Sequence, residues 1–343
     1  IPTFSDGSDE GAIWGGPTQW LSASLSAVSF TLALTEKYKR VIVIAHDTIF
    51  ASMRTYIPDE KRVQIIWIPH SLGSVFRDEY SNAERIALEK HAIASLCDSR
   101  RDCIGYIGNS SRDALRRAYN VPSRLLVPFI NGVYRKSCMF RGSRRGAVAF
   151  LRNHDISPDE KIVFVWGRCT YQKGYDVFLP AFGEFVREYP DYHLVAIMPT
   201  ETSSSSYVHT IQEQLERIPN KKVTAIFNFE RTLPGSMLRY SNVDMVVFPA
   251  RFEGAPLTPL EALLLARDRA RFVYSQIPPH NDIFRENGGA VGFGEFSPSA
   301  IYRALVEAVH GDGSEKASRV VPDFVQNTSG GIDSALLSCV HGR

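Results

Sequence analysis

The sequence contains no apolar run long enough to cross a bilayer, which takes about 18 residues. Its best stretch, Trp20 to Leu34, is broken by serines and reads as a packed helix. Cysteine is scarce. Cys97, Cys103, Cys138, Cys169 and Cys339 show no repeated spacing and no histidines at metal-ligand intervals. That set excludes a disulfide framework and suggests reduced thiols in a cytoplasmic protein. Internal repeats are absent, and so is any Asp-x-Asp pair. The net charge of +2 demands no nucleic-acid partner. The chain opens at Ile1 rather than Met, so its natural start is expected upstream; no signal peptide is visible.

What is present is an ordinary globular composition, 44% apolar and 22% charged over 343 residues, too long for one ordinary core. Charge is unevenly spread. Between positions 100 and 145 eleven Arg and Lys residues face only Asp102 and Asp113. One reading is a surface toward an anionic acceptor or a peripheral membrane contact. The other, which is preferred, is a solvated helix face and linker. Asp98 and Asp102, near a helix end, read as solvated charges.

Short apolar runs alternate with helical patterns. In the first half a helix is expected from Gly15-Gly16-Pro17 to about Thr35, with strands at Val41–Ala45, Val63–Ile68, Ile104–Ile107 and Leu125–Ile130. Helices are expected at Ala83–Leu96 and Ser111–Tyr119, and a turn at Asn131-Gly132. The basic, glycine-containing stretch 135–147 reads as a link. The second half restarts with strands at Ile162–Trp166, His193–Met198, Val223–Phe227, Met245–Phe248 and Phe272–Tyr274, separated by helices; Ser203–Ser206 reads as a low-complexity loop. This pattern predicts an α/β protein of two Rossmann-like, doubly wound parallel-sheet domains. The expected division is 1–145, 146–316, and a helical tail 317–343 crossing back to the first domain.

In open parallel sheets ligands bind beyond the carboxyl ends of the strands. Strand Ile162–Trp166 runs into Gly167-Arg168, and Lys173-Gly174 follow before a helix. Arginine grips oxygens as a fork and lysine acts as a mobile point charge, so the pair suits a diphosphate; solvated surface cations are the plainer reading. After strand Met245–Phe248 comes Arg251-Phe252-Glu253-Gly254-Ala255-Pro256-Leu257-Thr258-Pro259-Leu260-Glu261. Prolines in a first helical turn fit there, and the helix start offers free amides to an anion. Taken alone, two glutamates eight positions apart are a weak signal.

Together, Gly-Arg-x4-Lys-Gly and Glu-x7-Glu resemble the donor site of the family-four GT-B glycosyltransferases, the group 1 glycosyl transferases. Gly15-Gly16, Ala45-His46-Asp47, Pro69-His70-Ser71, Asn109-Ser110-Ser111 and Asn131-Gly132-Val133 follow that family's order. The resemblance covers about residues 11–310 and is more specific in the second half. It implies a GT-B fold and metal-independent, retaining transfer from a nucleotide diphosphate sugar, UDP-linked by default. The donor is then a substrate, and no cofactor is implied. Arg168 and Lys173 would hold the diphosphate, Glu253 would touch the sugar and Glu261 the ribose. Ala255, Leu257 and Thr258 would offer backbone, and Asn228 and Phe229, with Glu230, would cradle the base. His70 would stand near the sugar and Gly15 or Gly16 under the phosphates; His46 reads as a packed or capping histidine. These four polar side chains of the second half are expected to converge in a cleft between the lobes whose closure excludes water. The acceptor, a glycan, lipid or small natural product, is not specified.

The alternatives are a GT-B epimerase or phosphorylase, and a non-catalytic GT-B partner subunit. No pyridoxal-phosphate lysine motif stands out, and the intact set of four polar residues argues against a non-catalytic role. The sequence departs from the family in one place. Only about 30 positions separate Gly16 from His46, where the family has further strands and loops. Either the first sheet is reduced or stretches of the natural chain are missing. The second is expected, because Thr31–Arg40 reads like the family's helix before the His-Asp strand. The localisation expected is cytoplasmic, with membrane association as the added reading of the basic stretch.

Overall fold

A computed structural model describes residues 16–311, apart from Glu60, 76–82, Asn131, 134–135, 201–205 and 286–289. Gly15, Asn131, most of the serine loop and the 317–343 tail therefore lie outside the described residues. Two compact units meet in the chain at Ile130/Asn131.

The first unit holds strands β1 (Val41–His46), β2 (Val63–Ile68), β3 (Cys103–Tyr106) and β4 (Leu126–Pro128), all parallel in the order β1-β2-β3-β4. Helices α1 (Pro17–Thr35), α2 (Ala83–Asp98) and α3 (Asn109–Ala118) accompany them. In α1, Trp20, Ser24, Val28 and Thr31 recur at helical spacing on the buried face, while Leu25 and Phe30 are exposed. A five-residue connection leads from α1 directly into β1, so among the described residues this sheet has four strands. Strand β2 is buried along its whole length, which explains its unbroken apolar run Ile65-Ile66-Trp67-Ile68.

Asp102, expected in solvent, is instead fully buried. Its carboxylate takes the fork of Arg54 and also accepts from the Ile65 amide at 2.7 Å. A charge leaves water only for such partners. A local sequence window cannot show a partner 48 positions away.

In the second unit the strands are β5 (Lys161–Trp166), β6 (Tyr192–Ile197), β7 (Val223–Ile226), β8 (Val243–Phe248), β9 (Arg271–Ser275) and β10 (Ala290–Phe293). They form one parallel sheet, β10-β9-β8-β5-β6-β7. The helices are α4 (Arg144–Asn153), α5 (Tyr175–Glu188), α6 (Ser206–Glu216), α7 (Leu233–Leu238), α8 (Leu257–Leu265), α9 (Pro278–Phe284) and α10 (Pro298–His310). The pleat sorts β5 between two cores. Ile162, Phe164 and Trp166 enter one with residues of α4, α7, α8 and α9; Val163 and Val165 enter the other with residues of α5, α6 and α10. Each fully buried apolar side chain contributes about 1.5–3 kcal/mol, which makes both faces strong organisers.

The expected link at 135–147 belongs to this second unit. Met139 lies in its core, the Ser143 amide donates to Ser236 Oγ at 3.0 Å, and Ala147 and Leu151 of α4 are buried one helical turn apart. A Cβ at Gly142 would stand 2.4 Å from the Ser236 amide, so that close approach requires glycine. The chain therefore changes unit about fifteen residues earlier than composition suggested. The basic stretch 100–145 is divided between the units and is not one surface of one domain. Among the described residues no helix is long and apolar enough to cross a membrane, and the four described cysteines are free.

Candidate functional site

The site in the second unit starts where β5 ends. Gly167 has φ +145° and Gly174 φ +70°, so both ends of the Arg168–Lys173 loop use backbone that a side chain disfavours. At Gly174 a Cβ would lie 2.1 Å from the Pro249 carbonyl oxygen and 2.6 Å from the Phe296 ring. Gly174 thus lets the loop after β5 lie directly on the loop after β8.

Side chains fasten that contact. Arg251 forks onto Asp176 at 2.7 and 2.6 Å, donates to the Tyr171 carbonyl at 2.7 Å and stacks on the Tyr171 ring at 3.7 Å. Its amide donates to the Gln172 carbonyl at 2.8 Å. Gln172 returns from the first loop, giving Nε2–H to the Phe252 carbonyl at 3.2 Å and to Glu253 Oε2 at 2.9 Å. Lys173 Nζ meets the other carboxylate oxygen, Oε1, at 2.5 Å. Glu253 is only 7% exposed, so this bond and ion pair offset the cost of removing its charge from water.

Behind Glu253 stands His280, 1% exposed at the start of α9. Its Nδ1 lies 3.1 Å from both Ser275 O and Ser275 Oγ, and Ser275 Oγ donates to the Ala250 carbonyl at 2.6 Å. Burial lowers its pKa to about 4, against the attraction of Glu253, so the imidazole is neutral at pH 7.

Glu261 lies in α8 and accepts a hydrogen bond from Trp166, the last residue of β5. Burial raises its carboxyl to about pH 7, the Trp166 bond opposing that rise. The first turn of α8 has no side-chain cap, and Leu257 and Thr258 stand in it, where amides have no helical carbonyl to bond. Ala255 precedes it. Helix dipole and open amides make this end attractive to an anion. Arg168 is exposed on the loop following Gly167.

The structure thus brings Lys173 and Glu253 into contact and sets Arg168, Ala255, Leu257, Thr258 and Glu261 on the loops and helix start after the adjacent strands β5 and β8. It does not bring Asn228 and Phe229 to that pair. They follow β7 at the sheet's edge, and Phe229 is 74% exposed. Five residues of the network were not expected: Gln172, Asp176, Arg251, Ser275 and His280. The signal for Arg251 was available as an arginine beside Glu253, with Asp176 opening the helix after Lys173. Nothing in the sequence marked the Ser275–His280 brace.

In the first unit Gly16 caps α1, and its amide is already taken by the Gln19 side chain at 2.8 Å. His46 ends β1, and His70 follows β2. Contrary to the packed or capping role expected, His46 is exposed, and its Nδ1 lies 2.8 Å from His70 Nε2. The pKa of His70 is lowered by burial first and by His46, while Asp47 raises it.

The model of the family described as glycosyl transferases group 1 matches residues 149–320, half of the chain. The chain belongs to that family. Solved structures agree at the level of the fold. A UDP-forming α,α-trehalose-phosphate synthase from Burkholderia xenovorans has a TM-score of 0.74 at 16% identity, over 95% of this chain and 80% of that one. The Burkholderia xenovorans synthase in complex with glucose-6-phosphate gives 0.70 at 12%, covering 95% and 79%. An E. coli structure bound with UDP-2-fluoro glucose gives 0.66 at 17%, covering 88% and 72%. A search of curated protein sequences found no match. The two parallel-sheet α/β units are those of a GT-B glycosyltransferase, and the chain is a member of that class of enzyme.

Proposed function

We propose that this glycosyltransferase moves a sugar from a nucleoside diphosphate donor, UDP-linked first, to an acceptor hydroxyl with retention and without a metal ion. The observation that carries the reading is the Lys173–Glu253 contact at the ends of β5 and β8, with Arg168 on the same loop as Lys173. Breaking the bond from the anomeric carbon to the donor phosphate leaves a more negative diphosphate and an oxocarbenium-like sugar. Arg168 and Lys173, aided by the open start of α8, stabilise that charge as it develops, the role a divalent ion has in other transferases. Glu253, held by Gln172 and Lys173, presents a fixed carboxylate toward the sugar, and Glu261 accepts from the ribose diol. The new carbon–oxygen bond forms on the face the phosphate leaves, and the acceptor's proton passes to the departing phosphate oxygen. His70 is assigned to the donor sugar, as the family resemblance implies.

The structural neighbours are described as UDP-forming and as bound to glucose-6-phosphate, which makes UDP-glucose with glucose 6-phosphate the first pair to try. The test is a thermal-shift panel of UDP, GDP, ADP and their glucose conjugates with chelator present. Binding to the folded state at about 100 times Kd adds about 2.7 kcal/mol of stability. One nucleotide should stabilise the wild type and lose that effect in Lys173→Ala. Product NMR then reads the anomeric configuration. Stabilisation by no nucleotide, or product of inverted configuration, defeats the reading.

A further inference from the structure

An exposed histidine at the end of β1, His46, is joined to His70 and has no part in the transfer chemistry above. The two imidazoles are nearly coplanar, 19° apart with centroids 5.1 Å apart, and the 2.8 Å separation runs from His46 Nδ1 to His70 Nε2. In-plane lone pairs and coplanar rings are the geometry of one proton shared in an N–H···N bond.

Both histidines sit on braced backbone. Asp47, next to His46, has φ +61°, a strained value for a residue with a side chain. Three contacts hold it: Thr48 N–H and Ser71 O–H donate to Asp47 Oδ1 at 3.0 and 3.1 Å, and Trp67 Nε1–H donates to its carbonyl at 2.8 Å. On the other side, Arg85 of α2 donates to Ser71 O at 3.0 Å and to Ser71 Oγ at 2.8 Å, while Glu89 accepts from the Gly73 amide at 3.0 Å. The segment after β2 is therefore clamped from β1 and from α2, and His70 has little freedom except rotation of its ring. His46 removes that freedom as well.

We propose that His46 is a positioning residue: by sharing a proton with His70 Nε2 it fixes the ring orientation and tautomer of His70, leaving Nδ1 as the nitrogen that meets the donor sugar. This rests on the assignment of His70 to the sugar made above. A ring nitrogen of defined protonation is a better partner for a hydroxyl than one averaged over two tautomers and two ring flips. The titratable groups around His70 are His46 at the end of β1 and Asp47 just after it, with Arg85 and Glu89 of α2 bonding the backbone that follows His70. Of these, Asp47 favours a protonated His70 and His46 opposes it. Removing His46 therefore lets His70 protonate at higher pH.

The test compares His46→Ala, His46→Asn and His70→Ala in the intact chain. Asparagine keeps an amide where Nδ1 stands but carries no titratable group. Release of UDP from UDP-glucose with glucose 6-phosphate is followed against pH, and imidazole nitrogen NMR is recorded without ligand. His46→Ala should lower kcat about tenfold with little change in the KM for donor, move the acidic limb to higher pH, and mix the tautomers of His70. His46→Asn should restore most of kcat while the limb stays displaced. If His46→Ala leaves the tautomer and titration of His70 unchanged, the inference is overturned even where turnover is too slow to measure. Equal losses in the Ala and Asn variants would reduce His46 to packing and overturn it too. A His70→Ala variant as active as the wild type would remove the sugar assignment itself, whereas an inactive one beside a fully active His46→Ala would remove only the pairing.

Discussion

In the first unit the buried charges are closed upon themselves, whereas in the second the Lys173–Glu253 pair stands at strand ends beside an open helix start. Arg54 and Asp102 satisfy each other, and Glu89 is enclosed by Arg85, Thr48, Tyr119 and the Gly73 amide. Lys173 and Glu253 form a similar contact, but the carboxylate is shared with Gln172 and the lysine keeps 16% of its side chain in solvent. The difference teaches how a charge pair is made available to a ligand. A fully enclosed pair stabilises loops; a partly open one can exchange one partner for phosphate. Burying the Lys173–Glu253 pair completely would add desolvation cost and remove that exchange.

Breaking a closed pair should have the larger effect on stability. Glu89→Leu leaves Arg85 buried without its carboxylate and is expected to cost about 3–5 kcal/mol in denaturant unfolding. Replacing both, Arg85→Met with Glu89→Leu, should recover much of that loss. If the single and double variants unfold alike, the pair is not the organising contact of the first unit.

Lys173→Ala tests the open pair. It should lower kcat by 10²-fold or more, about 3 kcal/mol of transition-state stabilisation, and lower Tm as well because Glu253 loses its counter-charge. Adding Glu253→Gln should return Tm without returning turnover. Recovery of both together would mean that the pair is structural only.

Glu261 separates stability from binding along the pH axis. Its folded pKa of about 7 lies above the ordinary 4.5, so the folded state binds the extra proton between those values. Stability should therefore fall as pH rises from about 4.5 to 7, by up to about 3 kcal/mol, and stay level outside that window. Donor affinity should move the opposite way, since the ribose diol is assigned to the carboxylate. Glu261→Gln should abolish the stability slope, unfold at higher temperature than the wild type above pH 7, and bind donor weakly at every pH. Parallel pH dependence of stability and affinity would exclude Glu261 from the ribose.

The fold was legible in the sequence, though unevenly. The strands of the second sheet announce themselves because both faces are covered, so Ile162–Trp166 and Met245–Phe248 read as short apolar runs, and the residues after them fall at the carboxyl ends. Helix α10 was not among the elements expected, although Ser297 caps it and Ile301, Ala304, Leu305 and Ala308 recur on its buried face. Helix α4 was hidden because Arg144 and Arg145 open it with exposed charge, which composition assigns to a linker. The pairs were the least readable part, and only Arg251–Asp176 left a local trace. Arg54–Asp102, Arg251–Asp176 and Gln172–Glu253 join positions 48 to 81 apart, and a single charged residue in a sequence looks solvated until its partner is known.

The smallest expected effect concerns the residue that the fold uses least. Phe229 is exposed at the end of the edge strand β7, away from the Lys173–Glu253 contact, and its ring buries little surface of its own. Removing it should leave stability within about 0.5 kcal/mol of the wild type, as surface substitutions usually do. If the ring stacks on the nucleobase, Phe229→Ala should weaken nucleotide diphosphate binding by about 1 kcal/mol, roughly fivefold, and Phe229→Tyr should bind normally because stacking needs only an aromatic face. Calorimetric titration with UDP reads the difference directly. An unchanged Kd would take the base away from this loop and leave the donor held by the elements after β5 and β8 alone, a working sheet centre beside an idle sheet edge.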